Sequence, residues 1–179
     1  MPSQHPDVEE VPTEAMMDVM KAELLRRFAR EHETTMRVVG ALPESECGFR
    51  PHERSSSALE LLATLAREQA GMAAVLDGTW TMPPSFPAQP ETWASALAML
   101  DAGATRVLAA LTRTSASRLA ESVPFFTGPG AVGLVPIHEL LWFWLLDTVH
   151  HRGQLSVYVR MVGGRVPAIY GPSADEPWS

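Results

Sequence analysis

The 179-residue sequence contains one cysteine, Cys47, so no disulfide can form within the chain. A protein without disulfides is typical of the reducing cytoplasm, and we expect a cytoplasmic location. The first twenty residues are acidic and lack the apolar segment of a signal peptide. The apolar run from Leu140 to Leu146 is far too short to cross a bilayer, so we expect no membrane association.

Runs of basic residues are also lacking. The chain has 14 Lys and Arg against 21 Asp and Glu, which gives a formal net charge of -7. Nucleic acid is bound through clustered Lys and Arg side chains that neutralise its phosphates. The charge balance therefore predicts no nucleic-acid partner.

Alternation of apolar and polar residues is not sustained anywhere, and the sequence predicts no sheet.

Apolar residues make up 46% of the chain and charged residues 20%, an ordinary balance for one globular domain spanning residues 1–179. Four long helical stretches are separated by segments rich in Pro and Gly. Thr13 is an N-cap for the first helix, which is predicted to run to about Gly40. Ser57 and Glu60 form the pattern of a capping box at the start of the second helix. The third helix is predicted from about Glu91 to Ser117, and the fourth from about Pro136 to Gly163.

Long helices with apolar stripes usually assemble into a four-helix bundle, and the long connections between these helices favour at least one crossover. Residues 1–12 are predicted to be a flexible N-terminus. The tail, residues 163–179, contains prolines, a Tyr and a Trp, and we expect it to pack on the bundle. The segment VPFFTGPGAVG before the fourth helix is predicted to be a loop.

One face of the fourth helix combines apolar and ionisable side chains. Asp147 and His151 are four residues apart, so their side chains are neighbours on the helix surface. A carboxylate beside an imidazole inside a bundle suits a divalent metal or an acid/base pair. It also suits an orienting hydrogen bond in a satisfied core, and spacing leaves both interpretations open. The stripe consists of Leu140, Trp144, Asp147, His151, Tyr158 and Val162.

Two segments are distinctive enough to suggest a family. Residues 145–176 read LLDTVHHRGQLSVYVRMVGGRVPAIYGPSADE, and residues 49–66 read FRPHERSSSALELLATLA. Both resemble the DinB/YfiT-like family, a superfamily of metalloenzymes. The resemblance implies an all-α four-helix bundle with up-down-down-up topology, often a homodimer. It also implies a nickel or zinc site built from three histidines.

The three family histidines correspond to different residues here. The last one, before Arg-Gly-Gln, is His151; the second corresponds to Asp147 and the first to Thr64. Threonine is a poor ligand for zinc or nickel. Glu68, one helical turn after Thr64, is the candidate third ligand or general base. His32 on the first helix is another candidate for the pocket, with Glu31 as a neighbouring alternative.

Other residues of this segment can be explained by structural roles. Trp144 and Tyr158 are expected to line the pocket or simply to pack in the core. Arg152 faces away from Asp147 and is expected to bridge to a loop or to the tail, for example to Asp175 or Glu176.

Two functions follow from the resemblance. The first is a metal-dependent enzyme, a hydrolase or a thiol-dependent transferase, that acts on a small molecule or a thiol. The alternative is a degenerate member without metal that binds a small molecule or serves in a stress response. The replacement of two family histidines by Thr64 and Asp147 favours the alternative, and the nearby Glu68 favours the enzyme.

Overall fold

The computed structural model describes residues 13–178, and the N-terminal segment predicted to be flexible, residues 1–12, lies outside this range. Five α-helices and one β-hairpin follow one another along the described chain, with a short 3₁₀ turn at Glu44–Glu46. The elements are α1 Glu14–Gly40, α2 Ala58–Leu76, α3 Trp93–Arg113, α4 Ala116–Ala120, β1 Ser122–Gly128, β2 Ala131–Pro136 and α5 Ile137–Met161.

The starts of α1 and α2 are fixed by side-chain caps. The Thr13 hydroxyl accepts a hydrogen bond from the Met16 amide, and Ser57 and Glu60 form both bonds of the predicted capping box. Both predicted starts are confirmed. The third helix is shorter than predicted, because the chain becomes extended at Thr114 (φ −67°, ψ 132°) and the next residues form the separate helix α4.

The directions of the long helices follow from two apolar clusters at opposite ends of the bundle. One cluster contains the first half of α1, the last halves of α2 and α3, and the first half of α5. The other contains the last part of α1, the first halves of α2 and α3, and the last part of α5. Helices α2 and α3 are therefore parallel to each other and antiparallel to α1 and α5. The predicted all-α bundle with up-down-down-up topology is confirmed.

A polar layer separates the two clusters. Its side chains are buried although they carry hydrogen-bonding or charged groups, and they come from α1, α2 and α5. Helix α3 approaches this layer closely at Gly103, where an added Cβ would lie 2.7 Å from Cβ of Gln69. A glycine is needed there because any larger residue would push α2 and α3 apart. The buried members are Glu31, Thr35, Glu68, Gln69, Thr148 and Arg152.

The segment before α5 is a β-hairpin and not the predicted loop. Strands β1 and β2 pair antiparallel, with Val123 opposite Val135 and Phe126 opposite Val132. The prediction was wrong because each strand is only six or seven residues long and contains Pro or Gly, which mask the alternation of a strand. The hairpin lies against the bundle through Phe125, whose ring centroid is 5.3 Å from that of Trp144.

The tail contacts helices α1 and α5. Arg37 on α1 donates to the Ala168 carbonyl (3.2 Å) and to the Glu176 carboxylate (2.7 Å). Asp175 accepts hydrogen bonds from Arg160 on α5 and from the Val166 amide. Through these hydrogen bonds the tail connects α1 with α5.

Helix α3 has the length and apolar composition of a membrane span, with a mean hydropathy of 1.3 over its most apolar window. The core helix of a bundle passes the same test. In α3, 33% of this window is buried, and Ala96, Leu100 and Ala104 are among the residues that pack in the bundle.

Candidate metal centre

Three side chains that can bind a metal converge at one edge of the polar layer. Glu68 comes from α2, and Asp147 and His151 come from successive turns of α5. Nε2 of His151 lies 3.8 Å from Oε1 of Glu68 and 3.6 Å from Oδ2 of Asp147. All three donor atoms lie within 4.8 Å of one another. The structure thus places Glu68, the predicted third ligand or general base, beside the two predicted ligands Asp147 and His151.

The geometry of this group fits a small divalent cation. Two ligand atoms held tetrahedrally at about 2.0 to 2.2 Å from zinc lie about 3.3 to 3.6 Å apart. The observed separations of 3.6 and 3.8 Å are therefore within a few tenths of an ångström of those that zinc requires. Oε2 of Glu68 is buried and has no hydrogen-bond partner among the described residues. A buried carboxylate oxygen is costly without a partner, and a cation would provide one.

The orientation of His151 is set by the same motif that identified it. Nδ1 of His151 lies 3.0 Å from Oε1 of Gln154, one turn further along α5. The amide oxygen can only accept, so Nδ1 carries the proton and Nε2 presents its lone pair to the two carboxylates. A second hydrogen bond of this type is usual for histidines that bind metals, because it fixes the tautomer and the ring orientation.

The protonation of Glu68 depends on its surroundings. Burial, together with hydrogen bonding to and charge repulsion from the neighbouring Asp147 carboxyl, raises the pKa of the Glu68 carboxyl to about 9. In the metal-free protein Glu68 is therefore protonated at neutral pH. A cation in place of that proton would remove the repulsion between the two carboxylates.

A cavity of about 260 Å³ lies beside this group and is walled mainly by aromatic side chains. Trp80 and Phe86 come from the long α2–α3 connection, and Phe125 comes from the hairpin. Gly71 lets this wall lie directly on α2, because an added Cβ would be 3.2 Å from the Phe86 ring and 3.3 Å from the Trp144 ring. The lining residues are Thr64, Arg67, Glu68, Trp80, Phe86, Phe125, Phe126 and Trp144.

Two predicted pocket residues, Thr64 and Trp144, line this cavity. Thr64 is exposed and its hydroxyl donates to the Glu60 carbonyl (3.0 Å), so it contributes to the rim and is outside the three-residue group. Trp144 serves the cavity and the core together, as 4% of its surface is exposed.

The structure contradicts the other two pocket assignments. Tyr158 lies two turns beyond His151, in the opposite apolar cluster, where its hydroxyl donates to the Ser56 carbonyl (3.0 Å). Nε2 of His32 lies 3.2 Å from Oδ1 of Asp101, at the contact between α1 and α3. Both residues were assigned to the pocket because the periodicity of their helices places them on an inward face. Periodicity indicates the face of a helix and leaves the position of a residue along the bundle axis undetermined.

Arg152 has different partners from those expected. Its guanidinium donates to the carboxylate of Glu31 on α1 and to the hydroxyl of Tyr170 in the tail (2.6 Å). The Tyr170 hydroxyl in turn donates to Glu31 (2.9 Å), which closes a three-membered network. Asp175 and Glu176, the expected partners, pair with Arg160 and Arg37. Arg152 does bridge to the tail, and Glu31 is occupied by this network and is not at the metal group.

Sequence reasoning missed the aromatic wall. Trp80 and Phe86 lie in a proline-rich connection, and Phe125 and Phe126 in a segment predicted to be a loop. A signal was present, since four large aromatic residues in two connecting segments require burial somewhere. The surface against which these aromatic residues pack could not be inferred without the fold.

The fold and the site together define a helical bundle in which two carboxylates and a histidine converge in an arrangement that could hold a metal ion. The model of the DinB family matches residues 16–178, and the chain belongs to this family. A curated relative, the uncharacterized protein YrdA of Bacillus subtilis, is 45% identical over 42 residues. That match covers 24% of this chain and a quarter of the length of YrdA.

Three solved structures share the fold. A DinB-like protein of Bacillus subtilis, YjoA, matches with a TM-score of 0.64 and 20% identity, covering 79% of this chain and 92% of that chain. A DinB-like protein of Bacillus cereus matches with a TM-score of 0.62 and 19% identity, covering 82% and 95%. A mycothiol-dependent maleylpyruvate isomerase matches with a TM-score of 0.53 and 16% identity, covering 80% of this chain and 61% of the isomerase.

Proposed function

We propose that this protein is a metal-dependent enzyme that acts on a small molecule, either as a thiol-dependent transferase or as a hydrolase. The observation that carries the proposal is the convergence of Glu68, Asp147 and His151 beside an aromatic cavity, with one buried oxygen of Glu68 that has no hydrogen-bond partner in the described part of the chain. The structural similarity to a mycothiol-dependent isomerase supports the thiol-dependent reaction.

The three residues would hold zinc or nickel through two carboxylate oxygens and one imidazole nitrogen. When bound, such an ion supplies a Lewis acid that lowers the pKa of a coordinated water or thiol. Within residues 13–178, three side chains would serve as ligands in this group, which is the number found in zinc sites that keep a position open for substrate. The aromatic wall restricts water on the side of the cavity, and Gln154 keeps Nε2 of His151 directed at the site.

Addition of Zn²⁺ or Ni²⁺ to the metal-free protein is expected to raise its melting temperature. Binding to the native state at a concentration 100-fold above Kd adds about 2.7 kcal/mol, which for a chain of this size is about 5 to 11 °C. The His151→Ala variant should lose the shift. His150→Ala is the matched control, because His150 is adjacent on α5 but exposed.

Elemental analysis of protein purified without chelators supplies the second measurement. One equivalent of metal in the wild type and none in the His151→Ala variant is expected. Absence of metal together with no thermal shift for any divalent ion would contradict the proposal. With metal loaded, a requirement for an added thiol would separate the transferase from the hydrolase.

Gln154→Leu is expected to weaken metal binding about 10- to 100-fold without removing a ligand, because Nδ1 of His151 loses its acceptor. Gln154→Glu keeps an acceptor at the same place and should retain most of the affinity. Isothermal titration with Zn²⁺ measures both variants. Equal affinity for the leucine variant and the wild type would show that Gln154 does not position His151.

The degenerate, metal-free member is the competing function, and one observation favours it. The hydroxyl of Thr64, at the position of a family histidine, is satisfied by the Glu60 carbonyl and does not turn toward the other ligands. Failure of the metal measurements would support this alternative. The homodimer, the stress-response role and the cytoplasmic location stay predictions.

A further inference from the structure

We propose that the aromatic cavity binds a small carboxylate with an aromatic or apolar body, and that Arg67 pairs with the carboxylate. This inference rests on the proposed function in one step, since it takes the charges of Glu68 and Asp147 to be balanced by a divalent cation. It goes beyond that function by naming the chemical class of the ligand and the residue that selects it.

Arg67 is placed to receive a ligand. It lies on α2 between Thr64 and Glu68, and its guanidinium carbon is 5.0 Å from the centroid of the Phe86 ring. Its Nε is buried and has no hydrogen-bond partner among residues 13–178. A buried guanidinium nitrogen without an acceptor is unfavourable, and a carboxylate is the acceptor that matches its planar geometry.

The position of Arg67 joins two cavities of different character. The aromatic cavity lies on one side, and a polar cavity of about 250 Å³ lies on the other. Arg67 and Thr64 line both. An apolar body would therefore rest against the aromatic wall while its charged end meets the guanidinium at the boundary.

The acidic residue at the polar cavity does not compete for Arg67. The carboxylate of Glu60 accepts from Arg50 (2.9 Å) and from the Ser57 amide (2.8 Å). Its negative charge is thus balanced by a different arginine. With the metal group neutral as a whole, Arg67 leaves a net positive charge at the cavity, which favours a monoanion.

The aromatic wall decides the body of the ligand. Trp80 and Trp144 contact each other edge to face with ring centroids 5.7 Å apart, and Trp80 contacts Phe86 at 6.0 Å. Such rings bind apolar and aromatic groups through large contact areas and ring quadrupoles. The Trp80 indole nitrogen already donates to the Pro124 carbonyl (2.9 Å), so it does not require a polar ligand group.

Isothermal titration with phenylacetate, its neutral analogue phenylacetamide, and acetate tests the proposal. The titrations use metal-free protein and protein with added Zn²⁺, and zinc uptake is measured separately. Phenylacetate should bind to the zinc form at least about tenfold more tightly than phenylacetamide, and acetate should bind far more weakly than phenylacetate. Quenching of the tryptophan fluorescence, to which Trp80 and Trp144 in the cavity contribute, gives an independent readout.

Arg67→Gln should weaken phenylacetate binding about 10- to 100-fold, the usual effect of removing a hydrogen bond to a charged group, and should weaken phenylacetamide binding much less. Arg67→Lys keeps the charge and should recover part of the affinity. Arg30→Gln is the matched control, because it removes the same charge from an exposed position on α1. Circular dichroism and the melting temperature verify that each variant is folded.

Several results would overturn the inference. Equal affinities for phenylacetate and phenylacetamide, or an unchanged affinity in Arg67→Gln, would each exclude a carboxylate site at Arg67. No binding of phenylacetate to protein that does bind zinc would overturn the inference and leave the proposed function intact. Binding that depends on Arg67 in protein that takes up no zinc would support the carboxylate site and overturn the proposed function alone.

Discussion

Replacing Arg152 with methionine is expected to lower the free energy of unfolding by about 3 to 5 kcal/mol, the largest loss of stability that we expect from one substitution. Only 1% of the surface of Arg152 is exposed, and its partner Glu31 is buried at 6%. The substitution leaves the Glu31 carboxylate in the polar layer with Tyr170 as its remaining side-chain donor. Denaturation with urea, monitored by circular dichroism, measures the change.

Two further variants separate the charge from the packing. Glu31→Met combined with Arg152→Met removes both charges, and this double variant should be more stable than Arg152→Met alone. Arg160 is exposed and lies two turns further along α5. Arg160→Met should lower the free energy of unfolding by less than about 1 kcal/mol. Equal losses for the Arg152 and Arg160 variants would show that the buried network does not stabilise the bundle.

Arg152 also illustrates the limit of sequence reasoning. Spacing on α5 correctly places it away from Asp147, but its partners are separated from it by 121 and 18 residues along the chain. A single helix reports only its own periodicity. The relative position of α1 and α5 along the bundle axis determines which residue of α1 faces Arg152. No local sequence pattern encodes that relative position.

The candidate metal-binding group could be predicted more completely than the network of Arg152. Asp147 and His151 share a helix face by spacing alone, and the resemblance to the DinB family identifies α2 as the source of the third ligand. Glu68 could then be named because it lies one turn after Thr64 on the same helix. His32 and Tyr158 could not be placed correctly, since each belongs to another height or another contact in the bundle.

The helices themselves could be predicted nearly to the residue where capping side chains mark them, as at Thr13 and Ser57. The hairpin could not, because its strands are short and interrupted by Pro and Gly. The consequence for the site is large. The hairpin supplies Phe125 and Phe126 to the cavity, so the sequence predicted the candidate metal ligands without the aromatic wall beside them.

The stability of the metal-free protein is expected to fall as the pH rises from about 6 to 9, because of Glu68. Burial and the neighbouring Asp147 raise its pKa from 4.5 to about 9 in the folded protein, so the folded state retains a proton that the unfolded state has lost. The unfolded state binds fewer protons throughout this range, and the free energy of unfolding therefore falls by up to about 1.4 kcal/mol per pH unit. The effect is absent below pH 4.5, where both states are protonated.

Glu68→Gln should remove this pH dependence and stabilise the metal-free protein at pH 8, because the amide is neutral at every pH. Glu33→Gln on α1 is the matched control, with the same change of charge at an exposed position. Urea denaturation at pH 6, 7 and 8 compares the three proteins. A slope that persists in Glu68→Gln would assign the pH dependence to another group.

The same proton links stability to metal binding. A cation must displace the proton of Glu68, so binding should release it, and the affinity should rise about tenfold per pH unit up to pH 9 from this residue alone. Titration calorimetry of Zn²⁺ in two buffers of different ionisation enthalpy counts the protons released. Release of a proton by the wild type and of one fewer by Glu68→Gln is expected, together with weaker binding by the variant. If both proteins release the same number with the same affinity, Glu68 is not a ligand, and the third position of the site must be filled by another group.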